Sequence, residues 1–117
     1  MREVNVVVLA GDGIGPEVVA EARRVTEVAA QPDGLRIAWH EHAVGGVSID
    51  AHGTALTDEV LAACHAADAV LLGAVGGPKW DTTDPAKPRP EQGLLGLRHG
   101  LGLYANLRPV RIWPALA

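Results

Sequence analysis

The stretch VNVVVLAGDGIGPE, residues Val4–Glu17, decides the fold. Its aliphatic and mostly β-branched part, Val4–Ala10, predicts a strand covered on both faces, as in a parallel sheet. The glycines of Gly11–Gly15 then turn the chain, and Pro16 suits the first turn of a helix. Because a strand, a tight turn and a helix follow one another, the sequence opens as an α/β unit.

The alternation of helix and strand continues after this unit. An apolar stripe at helical spacing follows Pro16 and consists of Val18, Ala22, Val25 and Ala29. The next segment alternates between apolar and more polar residues from Leu35 to Trp39, which predicts a half-exposed strand that Gly45-Gly46 ends.

A second helix and a third strand come next. Thr57 can cap a helix that runs through Ala67. The side chains that this helix is expected to bury are Val60, Leu61 and Cys64. The run Ala69–Val75 is again continuously apolar and predicts another buried strand.

The last third of the chain is less regular. Gly76–Gly93 is a Pro-rich loop without a period, a length that in compact domains is usually functional or disordered. Leu94–Leu103 is predicted to be helical despite three glycines, and Tyr104–Trp113 to be a strand with Pro109 at an edge or bend. We therefore expect one α/β domain over residues 1–117, with an open, mainly parallel sheet flanked by helices.

Composition excludes several classes of function. Ten Lys and Arg against fourteen Asp and Glu give a net charge of −4, without the basic surplus that nucleic-acid binding needs. No apolar run approaches the roughly 20 residues of a membrane span. The single Cys64 cannot form an internal disulfide, which fits a reducing cytoplasm, and the five His residues lack metal-ligand spacing. We expect a cytoplasmic protein that binds neither nucleic acid nor membrane.

Two glycine-rich turns follow predicted strands, where α/β proteins bind ligands. In Gly11–Gly15 the spacing is G-x-G-x-G, one residue short of the Rossmann fingerprint, and Pro16 removes a donor. A tight turn is thus favoured over a dinucleotide fingerprint. The second turn, Gly73–Gly77, leads to Trp80, which can form a wall for a planar ligand or pack the loop down.

The third candidate is a helical face. Glu91, Leu94, Leu95 and Arg98 stand at i, i+3, i+4 and i+7, and Arg108 follows on a predicted strand. On an arbitrary helix such charges are usually solvated. Two arginines beside an apolar patch would nevertheless suit a small substrate with carboxylates at one end and a hydrocarbon group at the other.

Taken together, these motifs resemble the N-terminal part of the β-decarboxylating dehydrogenases, the isocitrate/isopropylmalate dehydrogenase family, whose fold is α/β but not a Rossmann fold. Their order and spacing match that family from end to end. The matching segments are Val8–Glu17, Leu71–Asp81, Arg89–Leu95, Leu97–Arg98 and Ala105–Pro109. Within the family, Glu91 with Leu94-Leu95 resembles the isopropylmalate branch.

The resemblance implies an NAD-dependent oxidative decarboxylation of 3-isopropylmalate to 4-methyl-2-oxopentanoate, a step of leucine biosynthesis. It assigns the malate carboxylates to Arg98 and Arg108, and the isopropyl group to Leu94 and Leu95. It places five residues at the nicotinamide half of NAD, namely Ile14, Gly77, Pro78, Lys79 and Glu91. It also implies Mg or Mn as the metal and a homodimer as the assembly.

Family members are much longer, so the resemblance implies that residues 1–117 are an incomplete piece without catalytic residues of its own. The metal ligands and proton-transfer groups are expected outside this chain, which alone is expected to be inactive. Two alternatives stay open. One is a sibling dehydrogenase acting on tartrate, malate or homoisocitrate, and the other is a truncated module that only binds or assembles.

Overall fold

The computed structural model describes residues 2–117. The three strands are β1 (Arg2–Gly11), β2 (Leu35–Glu41) and β3 (Ala69–Ala74), and the four helices are α1 (Gly15–Ala30), α2 (Gly46–His52), α3 (Asp58–Ala66) and α4 (Glu91–Gly100). Short 3-10 turns lie at Gln31–Asp33, Pro78–Trp80 and Pro114–Leu116. The predicted order of three strands alternating with helices is confirmed up to β3, and α4 follows as predicted. Helix α2 is an element that the sequence did not predict.

The strands form one parallel sheet in the order β2-β1-β3. Val6 of β1 pairs with Trp39 on one side and with Ala69 on the other. The middle strand is β1, and its residues Val6–Leu9 are buried, as expected for a strand with neighbours on both edges. The expected open α/β sheet is confirmed.

The core lies between one face of the sheet and helices α3 and α4. Its buried members are Val7, Leu9, Val44, Val60, Cys64 and Leu97. The cap predicted for α3 is present, because the Thr57 hydroxyl accepts a hydrogen bond from the Val60 N–H at 3.2 Å. Burial raises the pKa of the Cys64 thiol, so this side chain behaves as a neutral core group.

The other face of the sheet is covered by α1, through a different row of side chains from the one the sequence indicated. Val18 and Val25 of the predicted stripe are 54% and 67% exposed, whereas Val19 and Ala30 are buried. The helix has apolar residues on more than one side, so its pattern does not fix its rotation. That rotation is set where Gly15 meets the strand ends, since a Cβ there would overlap the Ala10 carbonyl oxygen.

The strand predicted over Tyr104–Trp113 is wrong. This segment has no regular structure and its residues are exposed. A strand is stable only when its backbone is paired, and within residues 2–117 no neighbouring strand offers hydrogen bonds to this one. The same absence of a further neighbour leaves the side chains of β3 only partly buried. None of the helices in this range has both the length and the hydrophobicity of a transmembrane span.

Candidate cofactor and substrate site

The first glycine-rich turn meets the end of β3 at the carboxyl edge of the sheet. The Asp12 N–H donates to the Ala74 carbonyl oxygen at 2.7 Å. A Cβ at Gly11 would overlap that same oxygen, and Gly11 has φ +78°, a conformation that favours glycine. The two turns therefore lie side by side, as expected from their positions after parallel strands.

The carboxylate of Asp12 is buried between the two turns. Its Oδ2 accepts hydrogen bonds from the Gly46 and Gly76 N–H groups at 2.7 and 2.8 Å, and its Oδ1 accepts one from the Val47 N–H at 2.8 Å. A buried carboxylate is stable here because three backbone donors compensate its desolvation. Asp12 thus joins the first turn, the start of α2 and the loop after β3, a role that the sequence analysis missed.

The loop after β3 reaches α4 at Gly76. A Cβ at this glycine, which has φ +106°, would lie 3.3 Å from the Glu91 Oε1. The structure therefore brings Glu91 beside the turn that contains Gly77. Ile14, at the tip of the first turn on the same sheet edge, is 67% exposed.

Beyond Gly77 the chain is fastened to α2. The Lys79 ammonium donates to the Asp50 Oδ2 at 2.7 Å, and the Trp80 indole N–H donates to the Asp50 Oδ1 at 3.1 Å. These two hydrogen bonds, the one from Lys79 first, hold the pKa of Asp50 below its usual value. The Trp80 ring lies where a Cβ of Gly46 would be, so the packing interpretation of this tryptophan is favoured.

The glycines of α4 explain which of its faces is exposed. A Cβ at Gly93 would lie 2.8 Å from the Ala55 carbonyl oxygen, and one at Gly100 would lie 2.8 Å from the Leu61 Cδ1. The helix therefore approaches its neighbours closely through Gly93, Leu97 and Gly100. The opposite side carries the predicted face, on which Glu91, Leu95 and Arg98 are exposed and Leu94 is half-buried.

The two arginines are placed differently. Arg98 lines an open hollow of about 310 Å³ together with the start of the tail, including Asn106 and Leu107. Arg108 lies two residues farther along the tail, where its Nε donates to the Asn106 Oδ1 at 3.3 Å. The structure thus brings Arg98 and the segment before Arg108 together, while the Arg108 side chain is exposed.

The residues at the sheet edge could hold a planar ring with an amide group, such as the nicotinamide half of a dinucleotide. Gly76 and Gly77 present backbone without side chains, which permits close approach of a planar ring. Ile14 offers an exposed aliphatic wall, and the Glu91 carboxylate can accept a hydrogen bond from an amide. For a metal ion, residues 2–117 contain no group of three His, Cys, Asp or Glu side chains placed as ligands.

Comparison with known proteins shows the family of the chain. The family model described as isocitrate/isopropylmalate dehydrogenase matches residues 5–117. The chain is 70% identical over 113 residues to a 3-isopropylmalate dehydrogenase of Anaeromyxobacter dehalogenans, and 57% identical over 105 residues to one of Pichia angusta. These matches cover 96% and 90% of the chain but 31% and 28% of the relatives, so the chain spans about a third of their length.

Solved structures of similar proteins share the fold. A β-decarboxylating dehydrogenase from Thermococcus kodakarensis superposes with a TM-score of 0.69 at 34% identity, over 86% of this chain and 27% of that one. An isocitrate dehydrogenase from Methylococcus capsulatus gives a TM-score of 0.65 at 26% identity, over 89% of this chain and 27% of that one.

Proposed function

Because the chain belongs to the isocitrate/isopropylmalate dehydrogenase family, we propose that it forms part of an NAD-dependent enzyme that oxidises and decarboxylates 3-isopropylmalate. The observation that carries the proposal is the exposed face of α4. There a carboxylate beside the Gly76 turn, two leucines and an arginine follow one another along one helix. This order matches a site that holds a cofactor amide, a hydrocarbon group and a carboxylate in sequence.

The reaction converts a secondary alcohol to a ketone and then breaks a carbon–carbon bond. NAD, when bound, would supply the hydride acceptor. The hydroxyl proton leaves to solvent, and the carboxylate β to the new ketone departs as CO2. The carbon that loses CO2 takes up a proton, so 4-methyl-2-oxopentanoate, CO2 and NADH are the products. The first of these products, 4-methyl-2-oxopentanoate, is a 2-oxo acid of the kind that leucine biosynthesis consumes.

Within this chain the proposed roles are binding and orientation. Arg98 and Arg108 hold the malate carboxylates through charge-assisted hydrogen bonds. Leu94 and Leu95 exclude water from the isopropyl group. Around the nicotinamide, Ile14 packs against the ring and Glu91 accepts from its amide, while the backbone of the segment from Gly77 through Pro78 to Lys79 lines the ring. The metal ligands, for Mg or Mn, and the proton-transfer groups belong to other parts of the whole protein.

The proposal is tested in a full-length chimera, in which the 113 matched residues of the Anaeromyxobacter relative are replaced by those of this chain. We expect NADH formation with 3-isopropylmalate at a kcat/KM far above that with malate, tartrate or homoisocitrate. A preference for one of these three would identify a sibling dehydrogenase instead. Absence of turnover with all four substrates, in a folded chimera, would leave only a binding or assembly role.

The assembly and location follow from the same proposal. Two copies of the whole protein would form a homodimer in the cytoplasm, with a small-molecule substrate as the other partner. Sedimentation of the chimera tests the assembly, because a monomer at micromolar concentration would contradict it.

Substrate choice gives the sharpest prediction for α4. A pocket gains roughly 1–3 kcal/mol per methylene-sized group, so Leu94→Ser should lower kcat/KM for isopropylmalate about ten- to a hundredfold. Malate lacks the hydrocarbon group and should lose far less. Arg98→Ala and Arg108→Ala should impair both substrates alike, since both contain the malate carboxylates.

Steady-state kinetics of these variants in the chimera provides the measurement. Leu116→Ser serves as the matched control, because Leu116 is an exposed leucine of the C-terminal 3-10 turn, outside α4. Equal losses of Leu94→Ser on isopropylmalate and malate would remove Leu94 from the specificity wall.

A further inference from the structure

Asp50 of α2 fastens two consecutive residues of the loop after β3. Each of its carboxylate oxygens accepts one hydrogen bond, from the Lys79 ammonium and from the Trp80 indole N–H. A carboxylate bound through both oxygens has a defined orientation, and so do the two donors that it holds. The Pro78–Trp80 turn is thereby tied to a helix that is remote in sequence.

The aromatic ring strengthens this attachment. The Trp80 ring occupies the space that a side chain at Gly46 would need, and a Cβ at Gly77 would lie 3.2 Å from the same ring. The Lys79 ammonium is 5.5 Å from the ring centroid, so the lysine side chain runs along Trp80 and ends at Asp50. Its charge is directed to α2.

Asp12, which also binds the start of α2, holds the other end of the segment. Asp12 binds the first two N–H groups of α2, at Gly46 and Val47, and with the same carboxylate it binds the Gly76 N–H. Between these two carboxylates only Gly77 and Pro78 remain without a side-chain anchor. Asp12, which is bound to the start of α2, and Asp50 of α2 therefore fix the two ends of the short backbone stretch that faces the sheet edge.

We propose that Asp50 is a positioning residue for the cofactor, because its hold on Lys79 and Trp80 sets where Gly77 and Pro78 stand at the nicotinamide site. The inference rests on the proposed function. It assigns Lys79 an indirect role, in which its ammonium binds Asp50 and makes no contact with the dinucleotide. The Asp50–Lys79 pair is solvent-exposed, so it adds little to global stability and its effect falls on local order.

The experiment measures NAD binding to the full-length chimera by calorimetry, beside its steady-state kinetics. Asp50→Ala removes both acceptors, and Asp50→Asn keeps one oxygen but loses the charge. Asp33→Ala, at an exposed carboxylate of the first 3-10 turn, is the matched control. We expect Asp50→Ala to raise the Kd and the KM for NAD about three- to tenfold, the factor that the ordering of one or two side chains accounts for.

Three further readouts separate positioning from a general structural role. The KM for isopropylmalate and the melting midpoint should stay close to those of Asp33→Ala, and Asp50→Asn should recover part of the NAD affinity. Lys79→Met should weaken NAD binding by itself yet add nothing in the Asp50→Ala background, because both substitutions break one interaction.

The outcomes that overturn the inference are distinct. An unchanged Kd for NAD in Asp50→Ala refutes the positioning role. Additive losses in the double variant show that Lys79 binds the dinucleotide directly. Parallel losses of NAD affinity, isopropylmalate affinity and melting midpoint show that Asp50 is merely structural. Failure of the unsubstituted chimera to oxidise isopropylmalate would instead refute the proposed function, since NAD binding is measured without that substrate.

Discussion

Asp12 shows how a single residue organises the site without being recognisable from its surroundings in the sequence. Its three hydrogen-bond donors are the backbone N–H groups of Gly46, Val47 and Gly76, all at least 34 residues away. Every residue except proline has a backbone N–H, so these donors cannot be recognised from residue types and are identified only in the folded structure. Leu94 and Arg98, by contrast, could be placed together from helical spacing alone, because their relation is local.

Replacing Asp12 with Asn should therefore destabilise the protein. An amide keeps one acceptor oxygen but turns an NH2 group toward N–H donors, which leaves at least one buried donor unsatisfied at a cost of about 1–3 kcal/mol. Urea unfolding of the full-length chimera measures this loss. The exposed Asp33 provides the control, and an Asp12→Asn midpoint equal to that of Asp33→Asn would contradict the interpretation.

At the scale of helices and strands, the sequence predicted the elements whose stability is local or strongly patterned. The apolar runs of β1 and β3 and the Thr57 cap of α3 are of this kind. Helix α2 was missed because it is short and its first N–H groups bind Asp12, a tertiary partner. The predictions of the buried face of α1 and of a strand over Tyr104–Trp113 were wrong for the same physical reason. Both features depend on neighbouring elements that a periodic pattern does not specify.

The glycines of α4 give a paired prediction. Gly93→Ala should destabilise the protein by roughly 1–3 kcal/mol, because its Cβ would approach the rigid Ala55 carbonyl oxygen and the Val44 Cγ2. Gly96→Ala is the matched control on the same helix, where only the mobile Leu56 Cδ2 lies within 3.2 Å. This variant should be neutral or gain up to about 1 kcal/mol of helix propensity. Thermal melting of both variants in the chimera measures the difference, and equal melting midpoints would contradict close packing at Gly93.

On the scale of the whole molecule, the 117-residue chain exposes many large apolar side chains, and they are grouped on α1 and on the tail. Val18, Val25 and Val28 are exposed on α1, and the tail adds an apolar series. The exposed members of that tail are Tyr104, Leu107, Val110, Ile112 and Leu116. Contiguous surfaces of this kind favour association.

We therefore expect the 117-residue chain to self-associate and to bind a hydrophobic dye. The combined substitution Val25→Lys and Val28→Glu should reduce both effects, because it places charges at two of the three exposed valines of α1. Ala62→Lys, at an exposed position of α3, adds a charge outside that row and serves as the control. Sedimentation of the unsubstituted chain as a compact monomer with cooperative melting would contradict the expectation.

The same chain should not reduce NAD when supplied with isopropylmalate and Mg. Its described residues include the binding groups proposed above but no cluster of metal ligands, and the Arg108 side chain is exposed in the tail. The measurement is NADH formation by the purified 117-residue chain beside that of the chimera. Turnover that persists in the wild-type chain but disappears in Arg98→Ala would show that residues 1–117 suffice for catalysis.

The central place of β1 in the sheet has a consequence for protein synthesis. β1 is translated before both of its partners, and Ala69 is added 63 residues after its partner Val6. At translation rates of roughly 5–20 residues per second, the β1 segment waits about 3–13 seconds before synthesis of its second partner begins. During that interval a valine-rich strand with free edges is exposed to other nascent chains. Expression should accordingly depend on chaperones that shield the β1 segment as it leaves the ribosome.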